Sequence, residues 1–76
     1  MAKSFEMVVK EAVQHLHGEF TVYDVLEEVD HYLSRFLTVR RLSQILSQMA
    51  RKGNLQVVSI YRYDGMEVRV YRKAGG

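Results

Sequence analysis

Apolar residues recur at helical spacing from Phe5 to about His17, where Phe5, Val8, Val9, Ala12, Val13 and Leu16 form one stripe with Glu6, Lys10, Glu11 and Gln14 between them. Ser4 is placed to cap the start of this helix and Gly18 to follow its end. Glu19, Phe20 and Thr21 leave room only for a short extended link, with a short extra strand near Phe20 at most. A second helix opens at Thr21, whose hydroxyl can cap while Asp24 answers it from the first turn, and its stripe is Val22, Val25, Leu26, Val29 and Leu33. After a break at Ser34 to Leu37, Thr38 caps a third helix with the stripe Val39, Leu42, Ile45, Leu46 and Met49, and Gly53 and Asn54 end it.

From Leu55 the period shortens to about two, β-branched and aromatic residues dominate, and Asp64-Gly65 sits midway between two such runs. This pattern predicts an antiparallel hairpin closed by a two-residue type I′ turn, with Tyr63 facing Met66, Arg62 facing Glu67, Tyr61 facing Val68 and Ile60 facing Arg69. Strict alternation then puts Val57, Tyr61, Tyr63, Met66, Val68 and Val70 on the face toward the helices. It leaves Val58, Ile60, Arg69 and Tyr71 on the other face, with Arg62 paired to Glu67.

With 76 residues the chain is one domain, residues 74–76 reading as a loose tail, and its 47% hydrophobic residues must supply the core because no cysteine is present to staple it. Absence of cysteine excludes disulfides and thiolate zinc sites, and together with the lack of a signal-like apolar start or a membrane-length apolar run it gives a cytoplasmic expectation. Net charge is only +2, but its distribution is uneven. Through Ser34 two lysines stand against seven acids, and from Arg35 onward nine Arg or Lys stand against Asp64 and Glu67. The basic part coincides with the third helix and the hairpin, the kinds of element that enter duplex grooves.

The order helix, short link, helix, turn, helix, hairpin resembles the winged helix-turn-helix superfamily over nearly the whole chain. The likeness is carried by Val22, Val25, Leu26 and Val29, by the Thr38-capped helix with Leu42, Ile45, Leu46 and Met49, by the run Met49-Ala50-Arg51-Lys52-Gly53-Asn54-Leu55, and by the Asp64-Gly65 tip. The link Ser34 to Leu37 departs from it in lacking the glycine often found in the tighter turn. The resemblance implies an α+β fold of three helices followed by a two-stranded wing, with the third helix as the recognition helix of a double-stranded DNA binder.

The residues fit that role. Around the third helix, Arg40, Arg41, Ser43, Gln44, Ser47, Gln48 and Arg51 fall off the apolar stripe, with no acid between Arg35 and Lys52. Arg can pair with guanine, Gln with adenine and Ser with either kind of base or a phosphate. Thr38 marks a helix start whose amides favour a phosphate, and Arg62 and Arg69 on the wing, followed by Arg72 and Lys73, suit backbone contact. A merely solvated face would also use Arg, Gln and Ser, yet such faces usually mix both signs of charge. For the wing, basic residues that block edge aggregation explain the pattern almost as well.

The expected function is therefore sequence-directed binding of duplex DNA by a small transcriptional regulator, with a homodimer expected because two half-sites raise affinity. A protein-interaction adaptor and a nonspecific architectural DNA binder are the alternatives. Catalysis has little support. His15 and His17 would point roughly 200° apart on a helix, Glu27, Glu28 and Asp30 read as a solvated acidic run, and no phosphate loop or nucleophile motif occurs. No cofactor, metal, membrane or small-molecule substrate is expected.

Overall fold

The computed structural model describes residues 4–29 and 38–75. Among them three helices, α1 (Phe5–His15), α2 (Val22–Val29) and α3 (Val39–Arg51), precede two antiparallel strands, β1 (Leu55–Tyr63) and β2 (Met66–Lys73), an α+β layout. Leu33, His31, Asp30 and the expected break at Ser34 to Leu37 lie outside the described residues.

Local hydrogen bonding accounts for the helix boundaries. The Ser4 hydroxyl accepts the Met7 amide at 3.2 Å. At α2, the Tyr23 amide donates to the Thr21 hydroxyl at 3.2 Å while the Thr21 amide donates to Asp24 Oδ2 at 2.8 Å, a reciprocal pair that satisfies donors no helical carbonyl can reach. Helix α3 ends where Gly53, at φ 87°, turns the chain so that its amide reaches the Ala50 carbonyl and the Asn54 amide reaches that of Met49. The first helix is shorter than expected, with Leu16 at its end and Gly18 two residues beyond.

The core is formed by Val8, Val9, Ala12 and Val13 of α1, Val22, Val25 and Val29 of α2, and Leu42, Ile45, Leu46 and Met49 of α3, sealed by Phe20, Leu55 and Tyr71. Phe5, expected on the apolar stripe, is 40% exposed at the outer end of α1. Phe20 and Tyr71 exchange both backbone hydrogen bonds, at 2.9 and 2.7 Å, so the extra strand near Phe20 is a single bridge that ties the α1–α2 link to β2. Lys73 Nζ donates to the Gln14 carbonyl and the Ala74 amide to that of Asn54, so the end of the hairpin, Ala74 included, is fastened in place.

The hairpin keeps the expected register from Tyr63–Met66 to Ile60–Arg69, and Asp64 and Gly65 both take positive φ, 52° and 78°, as a type I′ turn requires. The predicted burial of its faces holds at Val68 and fails at Val57, Tyr61, Tyr63, Met66 and Tyr71. The register slips between Val57 and Ser59, leaving Val58 without a partner, and such a bulge moves the residues on its far side to the opposite face. Tyr71, assigned to the outer face, is buried because Phe20 pairs with it, the two ring centroids lying 6.2 Å apart, while Val57, its register partner on β1, is exposed. Length does the rest. Nine residues of strand reach about 30 Å, so the distal half runs past the helices and leaves Tyr61, Tyr63 and Met66 exposed. There only Val68 is buried.

Candidate nucleic-acid interface

Helix α3 buries Leu42, Ile45, Leu46 and Met49, and 3.6 residues per turn force the residues between them outward. Arg40, Gln44, Gln48 and Arg51 are exposed, and Ser43 and Ser47 are half-buried beside them. Together with Val39 of the first turn and Met66 of β2 they line an open groove of about 610 Å³ between α3 and the hairpin. Every polar residue on that wall is neutral or positive, so an anion entering it meets no carboxylate.

Arg41 does not join this surface. It follows Arg40 by one residue, roughly 100° around the helix, and borders a separate depression with Ser4, Phe5 and Glu6 at the start of α1. Thr38 sits at the start of α3 with its hydroxyl accepting the Arg41 amide at 3.1 Å, which commits that oxygen to the cap.

On the hairpin the two candidate arginines behave differently. Arg62 Nη1 lies 3.5 Å from the Gly65 carbonyl of the turn, and the expected ion pair with Glu67 is not the one formed, although the two residues are opposite each other in the register. Glu67 reaches along its own strand to Arg69, Oε1 to Nε 3.5 Å, with both side chains about half exposed, a contact worth little in stability. Arg69 also donates from Nη1 to the Ser47 hydroxyl at 3.3 Å, which links the hairpin to α3 across the base of the groove. Arg72 donates to Gln56 Oε1, and with the Lys73 contact to α1 this keeps both late cations among structural contacts.

Four acids of the first part of the chain gather away from the α3 groove. Glu19, Asp24, Glu27 and Glu28, with His17, line a different cavity of about 330 Å³ that shares no wall with the α3 groove. Among the described residues no group of three His, Cys, Asp or Glu side chains is placed to hold a metal ion, and no helix is long and apolar enough to cross a membrane.

Met66 of the groove wall, and Tyr61 and Tyr63 nearby, were expected in the core. Alternation along the strand carries no mark of the bulge, because Val57 and Val58 are equally suited to either face. Comparison with family models, curated proteins and solved structures finds no match.

Proposed function

We propose that this chain is a winged helix-turn-helix protein that binds double-stranded DNA, with α3 as recognition helix, the β1–β2 hairpin as wing, and regulation of transcription as its role. The observation that carries this reading is the groove wall of α3, on which Arg40, Gln44, Gln48 and Arg51 stand together without an acid while the acidic residues gather elsewhere. Thirteen helical residues extend about 20 Å, and a helix of that size fits the major groove, roughly 12 Å wide. In that arrangement Gln44 and Gln48 face base edges, Arg40 and Arg51 face guanine or the flanking phosphates, and Arg62 at the wing tip reaches backbone. Arg69 holds the wing against α3 through Ser47 and contributes mainly by positioning. A homodimer on two half-sites fits the small area that one such module buries on DNA.

The test is an anisotropy titration of a labelled random duplex at several salt concentrations, repeated with Gln44→Ala. Binding that weakens as salt rises supports the reading, and a preference among sequences that Gln44→Ala erases supports base contact. No binding even at low salt removes DNA from the account and leaves the protein-adaptor reading.

A further inference from the structure

Five of the exposed large apolar residues, Val57, Ile60, Tyr61, Tyr63 and Met66, lie on the hairpin, and the two tyrosines are 46% and 63% exposed. Tyr61 and Tyr63 are two residues apart on one strand and so share a face, and their register partners on it are Val68 and Met66. The rise of a strand separates such positions by about 6.8 Å, twice the spacing of roughly 3.4 Å between stacked bases. Successive unpaired bases can therefore stack on the two exposed phenol rings. Tyr63 packs edge to face against Tyr23 of α2, ring centroids 6.4 Å apart, which lowers the cost of ordering it for a ligand. The surroundings select the partner's charge: Arg40 and Arg51 line one groove with Met66, the register partner of Tyr63, and the nearby Glu67 is matched by Arg69.

We infer that the Tyr61–Tyr63 face of the hairpin is a stacking platform for unpaired bases, so that the preferred nucleic acid is a duplex that continues into a single strand. The inference rests on the proposed duplex binding by α3: the double-stranded part lies against α3 and the first bases of the single strand pass onto the hairpin. A phosphate chain along the groove of Arg40 and Arg51 and flat bases on the tyrosines are both features of one ligand.

The test compares three labelled probes by anisotropy at one salt concentration: a blunt duplex, the same duplex with a thymidine tail at either end polarity, and the thymidine oligomer alone. The tailed duplex is expected to bind roughly 5- to 150-fold more tightly than the blunt one, the range for one stacked base. Tyr61→Ala with Tyr63→Ala should abolish that advantage and leave blunt-duplex affinity unchanged, whereas Tyr61→Phe with Tyr63→Phe, which keep the rings, should retain it. Equal affinity of the wild type for tailed and blunt duplex overturns the platform and leaves the duplex reading intact. Binding of the thymidine oligomer that depends on the tyrosines, with no binding of blunt duplex, supports the platform and overturns the recognition-helix role. Failure to bind any probe overturns both. Sedimentation of the wild type as a dimer that the double Ala variant dissociates assigns the face to self-association and overturns the platform as well.

Discussion

Charge on the groove wall has a measurable consequence, because each phosphate neutralised by a cation lowers the salt exponent of binding by about 0.9. On the proposed duplex binding three cations would meet phosphates: Arg40 and Arg51 on α3, both exposed, and Arg62 at the hairpin tip. Arg69 is left out of the sum because Glu67 and Ser47 already engage it. Raising salt from about 50 to 200 mM should then weaken binding about 3.5-fold per contact, or roughly 40-fold for three. Arg40→Ala with Arg51→Ala should cut that loss to about 3.5-fold, while Arg41→Ala, on the flank beside Ser4 and Glu6, should leave the slope near the wild-type value. The assay is a salt series of duplex titrations, with circular dichroism to show that the variants keep their helices, as expected for side chains outside the core. A slope that falls as much for Arg41→Ala as for Arg40→Ala, or that does not fall for the double variant, refutes this placement of the phosphates.

Leu46→Ala removes a fully buried side chain from the centre of α3 and should cost about 2.7–5 kcal/mol, against a total stability of roughly 4–11 kcal/mol for a domain of this length; urea denaturation showing a loss under about 1 kcal/mol would contradict its central position. Gly65→Val forces a β-branched residue into φ 78° at a tip where a side chain meets nothing within 4 Å, so backbone strain alone should cost about 1–3 kcal/mol, read as a lower melting temperature. An unchanged melting temperature would show that the turn relaxes freely. Glu27→Gln with Glu28→Gln, in the cavity apart from the α3 groove, should change duplex affinity only slightly, because their field is screened over about 8 Å at physiological salt. A tenfold change measured by anisotropy would place these acids next to the DNA.

Helix positions, caps and the hairpin turn were legible in the sequence because each depends on contacts within a few residues. Helical spacing put Leu42, Ile45, Leu46 and Met49 inside, Thr21 and Asp24 identified the start of α2, and Asp64-Gly65 set the register at the tip. The same periodicity drew out the basic and amide residues of α3, since whatever is not buried on a surface helix must face outward. Which of those residues stand together was decided by packing: α1 lies against the flank of α3 that carries Arg41, and the hairpin closes over the flank that carries Ser43 and Ser47. The hairpin faces were likewise beyond local reasoning. A bulge at Val58 resets which residue of β1 stands opposite Tyr71 without changing the alternation of apolar residues on either side of it, and the helices are too short to cover a strand about 30 Å long. Tyr71 is buried because Phe20, 51 residues earlier, pairs with it, whereas near the tip Tyr63 meets only the edge contact with Tyr23 and stays exposed, as does Tyr61. Those contacts join distant parts of the chain, and only the tertiary structure brings them into range.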